Sequence, residues 1–173
     1  MHFDAKHSEI FVIGVYDQIA LTTVSGQLIT IQELTEGSNV IAQQRTPAGW
    51  QFICRRDSGL THCTLEKDSV SEIPLGTPRE KSRTATWSPC GQFVAIGSEG
   101  TTLSVWNTQT GKQLMQKSIY WNKADDEFIN PPTLSVIGWS ETGDEIICLA
   151  EEIISSNVIV WNFKTQTLVT HIQ

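Results

Sequence analysis

Short apolar runs broken by small polar residues fill the chain. Glu9–Tyr16, Gln18–Val24, Gln27–Glu33, Gln51–Arg55, Leu60–Leu65, Val70–Ile73, Phe93–Gly97, Leu103–Trp106, Lys112–Met115, Leu134–Trp139, Glu145–Leu149, Val158–Trp161 and Thr167–Ile172 are rich in Val, Ile, Leu, Thr and aromatic residues. Gly, Ser, Asn, Asp or Pro separates them, which is the punctuation of short strands and turns. No long run shows the three- and four-residue apolar spacing of an amphipathic helix. The pattern predicts an all-β chain wound as an antiparallel meander.

One stretch is written nearly twice. The first copy is Thr86-Trp87-Ser88-Pro89-Cys90-Gly91-Gln92-Phe93-Val94-Ala95-Ile96, followed by Leu103-Ser104-Val105-Trp106-Asn107. The second is Gly138-Trp139-Ser140-Glu141-Thr142-Gly143-Asp144-Glu145-Ile146-Ile147-Cys148, followed by Val158-Ile159-Val160-Trp161-Asn162. A unit of four short strands at a period of roughly 40–55 residues is the signature of a β-propeller blade. Sorting the strands gives about four blades, at 1–35, 37–76, 83–117 and 133–173, with a long inter-blade loop at 118–132. Asn39–Leu75 reads as a degenerate blade in which Leu60–Leu65 takes the place of the Trp-Asn strand. Glu9–Leu34 supplies three strands with little room for a fourth, so the chain reads as starting partway through a blade. The expected fold is one domain or domain fragment, a propeller segment of four-stranded antiparallel sheets that is partial or self-completing.

These residues resemble the Trp-Asp (WD) repeat family. Trp87-Ser88-Pro89-Cys90-Gly91 is similar to the family's Trp-Ser-Pro-Asp-Gly turn, and Trp106-Asn107 and Trp161-Asn162 stand where the family has Trp-Asp. Thr108-Gln109-Thr110-Gly111-Lys112 matches its turn into the fourth strand. The resemblance is strong over roughly residues 83–173. The family's Gly-His pair is missing from every blade. The aspartate ahead of the third strand is replaced by Gly100-Thr101 in one copy and by Ser155-Ser156-Asn157 in the other. The resemblance therefore implies a family fold with an incomplete His–Ser–Trp–Asp hydrogen-bond network and a less stable sheet. It also implies that Trp87, Trp106, Trp139 and Trp161 are structural blade residues. The family usually closes with about seven blades, although rings of four to eight exist. An open array leaves an apolar face and a free strand edge, which invite association with another copy or another protein.

Composition narrows the function classes. The net charge of −7 and the lack of clustered Lys and Arg argue against nucleic acid as a partner. No run approaches the ~18 apolar residues of a membrane span. The sequence Met1-His2-Phe3-Asp4-Ala5-Lys6-His7 lacks the basic and apolar regions of an export signal. Cys54, Cys63, Cys90 and Cys148 have no metal-knuckle spacing, and at least three of them sit among strand-like residues as small hydrophobes, so a reducing compartment is expected, cytoplasmic or nuclear.

Charge is concentrated in 118–157, which holds eight acids against Lys123. In a meander the second-to-third connection and the connection to the next sheet share an end. That end carries both insertions of this chain. The longer is Ser118–Pro132, with Tyr120, Trp121, Asp125, Asp126, Glu127 and Phe128. The other is Ala150–Asn157, which adds Glu151 and Glu152; Trp139 to Trp161 is 22 residues, against 19 from Trp87 to Trp106. Glu141, Asp144 and Glu145 fall at the opposite end. The connection Gly76–Arg83 is basic. Loops of this length need a reason. One reading makes Tyr120, Trp121 and Phe128 apolar anchors for a protein partner, ringed by acids. The plainer reading tucks the aromatics into the propeller and leaves the acids solvated, with Arg79 and Arg83 as counterions.

No catalytic residue, metal or cofactor is predicted. His2, His7, His62 and His171 lack ligand spacing. Asp125, Asp126 and Glu127 lack the Gly turn and distal Glu of a calcium loop. Ser88 and Ser140 lack a nucleophile-elbow context. Gly97-Ser98-Glu99-Gly100 reads as a strand-to-strand turn, and Arg55-Arg56-Asp57 as a solvated hairpin end. The expected function is a non-enzymatic protein-interaction scaffold. The alternatives are a truncated propeller with a structural role, completed by missing blades or another copy, and a propeller hydrolase.

Overall fold

In the computed structural model, the described residues are 2–4, 9–13, 18–23, 28–34, 37–47, 49–66, 69–76, 82–99, 101–119, 133–151 and 156–172; side chains are described from residue 33 onward, except those of Arg83 and His171. Sixteen strands and no helix occur among these residues. They form four four-stranded sheets, each in simple sequential order. The first holds β1 (His2–Asp4), β2 (Glu9–Ile13), β3 (Gln18–Thr23) and β4 (Leu28–Glu33). The second holds β5 (Asn39–Arg45), β6 (Trp50–Arg56), β7 (Gly59–Glu66) and β8 (Ser69–Gly76). The third holds β9 (Ser82–Trp87), β10 (Phe93–Ser98), β11 (Thr102–Asn107) and β12 (Gln113–Ser118). The fourth holds β13 (Thr133–Trp139), β14 (Glu145–Glu151), β15 (Ser156–Asn162) and β16 (Thr167–Ile172). The pairing is antiparallel throughout the first, third and fourth sheets and over β5-β6-β7.

All four sheets share one register. Trp87 pairs with Val94, Val94 with Trp106 and Trp106 with Gln113. Trp139, Ile146, Trp161 and Leu168 form the same row in the fourth sheet. Arg45, Trp50 and Leu65 hold it in the second. Phe3, Ile10, Thr22 and Leu28 hold it in the first. The second-strand members of this row lie 40, 44 and 52 residues apart along the chain. A bulge recurs just before the row in the third-to-fourth strand pairing, at Leu21/Thr22, Val105/Trp106 and Val160/Trp161. Repeated pairing at this depth is one supersecondary unit used four times.

Three strands were not legible as runs. β1 gives the first sheet the fourth strand for which the sequence showed little room; three residues are too few for alternation to show. β5 carries Gln43, Gln44 and Arg45 in its second half, and β9 is Ser- and Thr-rich, so neither announces itself by hydrophobicity. Their partners supply the apolar surface instead.

The turn chemistry explains the hairpins. Ser88 N donates to Phe93 O, Gly91 N to Ser88 O, and Phe93 N to Ser88 Oγ at 3.1 Å. Ser140 repeats all three bonds with Glu145 and Gly143. Gly91 and Gly143 adopt φ of 71° and 73°, a left-handed conformation that glycine enters without a Cβ penalty. At the same end of the sheets, the Asn107 and Asn162 side-chain carbonyls accept backbone N–H groups, Gln109 N and Thr110 N for the one and Thr165 N for the other. This is an Asx turn, a task that asparagine performs as well as aspartate.

The chain divides into two compact units, Met1–Glu72 and Ile73–Gln173. In the first, Trp50, Phe52, Cys54, Cys63 and Leu65 form the core, with Leu34 at its margin. Trp50 is 1% exposed, and the Arg45 guanidinium lies over its ring at 5.4 Å. Arg56 is not a solvated hairpin end. Its guanidinium makes a paired contact with Glu72 (2.7 and 3.0 Å) and reaches Ser38 Oγ (2.8 Å) and Thr61 Oγ1 (3.1 Å). The carboxylate of Glu72 raises the Arg56 pKa above its ordinary value.

In the second unit the third and fourth sheets stack face to face. Ala95, Leu103, Val105 and Met115 of one meet Leu134, Val136, Ile146, Cys148 and Ile159 of the other in a single core. β13 lies on β9 and β10. Val136 N donates to Thr84 Oγ1 (2.7 Å), and Trp139 Nε1 to Thr86 O (3.1 Å). Phe163 closes one end against Phe93 and Trp139, with ring centroids 5.8 and 5.7 Å away.

The tryptophans of the third and fourth sheets differ in their hydrogen bonds. Trp106 Nε1 donates to Ser104 Oγ at 3.1 Å. In the fourth sheet Ile159 stands at the Ser104 position, and Trp161 Nε1 has no partner. Ser104→Ala should therefore lower stability by about 1–2 kcal/mol, the cost of leaving a buried indole N–H unpaired. Chemical denaturation monitored by tryptophan fluorescence checks this; an unchanged midpoint contradicts it.

Candidate interaction surface

Strand direction fixes which connections share an end. Thr133 pairs with Glu151, and Glu151 with Ser156. Thr102 pairs with Ser118, and Glu99 forms a bridge with Thr133. The ends of the 119–132 connection thus emerge beside the β14–β15 connection. Both departures are anchored. Ile119 is 3% exposed and part of the core, and its N–H donates to Thr101 O at 2.9 Å. The return at Thr133 is held by the Glu99 bridge and, three residues on, by Thr84.

Glu151 is exposed on this end. Tyr120, Trp121, Asp125, Asp126, Glu127, Phe128 and Glu152 lie outside the described residues, as do Arg79 and the side chain of Arg83. The three remaining acids of the 118–157 segment sit on or beside the β13–β14 hairpin, at the far end of the sheet. Glu141 is exposed, Glu145 is half-buried, and Asp144 pairs with Lys164 Nζ at 2.6 Å.

No family model matches the chain, and no curated protein matches it in sequence. The resemblance to Trp-Asp repeats rests on the quoted motifs alone. Trp87 and Trp106 are buried, whereas Trp139 and Trp161 are half-buried against the core of the second unit. No group of three or more His, Cys, Asp or Glu with metal-holding geometry occurs among the described residues. None of the helices required for a membrane-crossing helical span is present among them either.

The cysteines separate by environment. Cys63 donates to Cys54 Sγ at 3.4 Å, although the two lie on different strands; that hydrogen bond and burial raise the Cys54 pKa. Burial alone pushes Cys148 up to about 12. Cys90 is exposed in the Ser88 turn, where the hydrogen bond to Ser88 Oγ and the Gln92 backbone lower its pKa. The thiolate is the reactive form, so Cys90 is the thiol open to modification under native conditions. Sequence spacing gave no sign of the Cys54–Cys63 pair, because their diagonal meeting depends on the β6–β7 register.

Proposed function

We propose that the chain is a propeller segment of the Trp-Asp repeat kind and works as a protein-interaction scaffold. The observation that carries this reading is the common register of four sheets together with the convergence of the two insertions at one end. A rigid repeated sheet supplies positions, and the inserted connections supply chemistry. The aromatic residues Tyr120, Trp121 and Phe128 are the anchors, and Asp125, Asp126, Glu127, Glu151 and Glu152 are the acidic rim. Such a surface suits a protein segment with apolar side chains flanked by Lys or Arg, since complementary charge steers the encounter and buried aromatics hold the complex.

The test is a photo-reactive amino acid at Asn122, in the middle of the aromatic run, with mass-spectrometric identification of what it captures in cells. Discrete cross-linked proteins are expected. The triple change Tyr120→Ala, Trp121→Ala and Phe128→Ala should abolish capture while leaving the far-ultraviolet spectrum and the melting temperature unchanged. If the triple variant unfolds with no partner present, the aromatics are packing residues and the scaffold surface is not here.

A further inference from the structure

Two thiols meet inside the second sheet. Cys54 lies on β6 and Cys63 on β7, and both are 0% exposed. Cys54 pairs directly with Thr61 and Cys63 with Phe52, so the two cysteines are diagonal neighbours across the ladder. Their sulfurs lie 3.4 Å apart, the Cys63 thiol donating to the Cys54 sulfur. They share one core with Trp50, Phe52 and Leu65. Closing that gap to the ~2.05 Å of a disulfide needs an approach of about 1.4 Å, which rotation of the two side chains can supply. Cys148 differs: it is equally buried, but burial alone acts on its thiol and no second sulfur touches it among the described residues.

We propose that Cys54 and Cys63 form a redox modification site, at which a peroxide converts the two thiols into a reversible disulfide that ties β6 to β7. One sulfur, as the thiolate, attacks the peroxide O–O bond and becomes a sulfenic acid, while the other peroxide oxygen leaves as hydroxide and is protonated to water. The second sulfur then attacks the sulfenic sulfur, the S–S bond forms, and the S–OH oxygen leaves as a second water. Two electrons pass from the sulfurs to the peroxide, and both thiol protons end in water.

The surroundings make this step slow to start and selective once started. The hydrogen bond from Cys63, together with burial, raises the Cys54 pKa and keeps its thiolate scarce. Incidental oxidation therefore falls first on the exposed Cys90. After a sulfenic acid forms at either buried sulfur, the partner sulfur is already beside it, and condensation outruns further oxidation. Diagonal neighbours are spaced more widely than directly opposed residues. The bond therefore forms under tension, and strained disulfides are the readily reduced ones.

The test uses the full chain carrying Cys90→Ser, which removes the exposed thiol and leaves Cys148 as the control for burial. The folded protein is treated with hydrogen peroxide, quenched in acid, unfolded, alkylated with a maleimide and mapped by peptide mass. Two of the three remaining thiols should be lost together, with the Cys54 and Cys63 peptides joined and the maleimide on Cys148. The near-ultraviolet circular-dichroism spectrum should stay native throughout, and dithiothreitol added before unfolding should restore all three thiols. Several results overturn the proposal: Cys54 and Cys63 still alkylated under conditions that fully oxidise Cys90 of the wild type and modify Cys148; separate sulfinic acids at the two positions; or a disulfide that includes Cys148. Three intact thiols at every peroxide dose that leaves the spectrum native also overturn it, because the pair is then reached only by unfolding.

Discussion

Gly97→Ala is expected to lower the stability of the second unit by about 3 kcal/mol, at the upper end of what overpacking a core costs. Gly97 lies near the end of β10 in extended backbone that tolerates any residue, so the expected loss is not conformational. A Cβ at this position would press into the carbonyl oxygen of Leu134, with the Leu134 carbon and the Val136 nitrogen close behind. All three are backbone atoms of β13 and cannot rotate away. Relief requires the fourth sheet to lift off the third, which breaks the Val136 N–Thr84 Oγ1 bond and opens the core around Leu134 and Val136. Gly138→Ala is the control: nothing lies within 4 Å of its added Cβ, so it should change stability by less than about 1 kcal/mol. Urea denaturation of the two variants decides the matter. Equal midpoints would show that the two sheets are not in this contact.

Arg56→Ala should cost the first unit about 2–3 kcal/mol. The guanidinium ties the start of β5 (through Ser38), β7 (through Thr61) and β8 (through Glu72) to the end of β6. Charge-assisted, paired Arg–carboxylate bonds are stronger than neutral ones, and removing one partner leaves the others unsatisfied. The Glu72 end is partly open to solvent, its side chain 29% exposed, which keeps the loss below that of a fully buried pair. Arg56→Lys should recover less than half of the loss, because an ammonium cannot hold the two carboxylate oxygens and two hydroxyls in one plane. Full recovery by lysine would mean that only the charge matters.

Much of the fold could be read directly. The third and fourth sheets announce themselves because Trp87-Ser88 and Trp139-Ser140 are followed by the same glycine turn and the same row of partners. The second sheet was harder, although its signal was present. Thr46-Pro47-Ala48-Gly49 repeats Ser88-Pro89-Cys90-Gly91 with threonine for serine, and the Thr46 N–Gly49 O bond closes its hairpin at 2.8 Å. The loop is two residues shorter between paired positions, and arginine replaces tryptophan at its head, which hides the match. The role of Arg56 was not legible, since its partners lie 5 to 18 residues away in sequence and meet it only through the β5-β6-β7 register. Of the interaction surface, the meander rule gives the shared end of the two insertions. Tyr120–Phe128 lie outside the described residues.

The third and fourth sheets are copies of one unit stacked in equivalent register. Cys90 and Thr142 are equivalent turn positions of the third and fourth sheets, both exposed. Thr142→Cys places a second accessible thiol opposite Cys90, while Cys54, Cys63 and Cys148 stay buried. The measurement is treatment of the native variant with a short bis-maleimide, read by intact mass and peptide mapping. A rapid cross-link from Cys90 to residue 142 within one chain, lost in urea, is the predicted result. Two separately modified thiols with no cross-link would contradict the stacking.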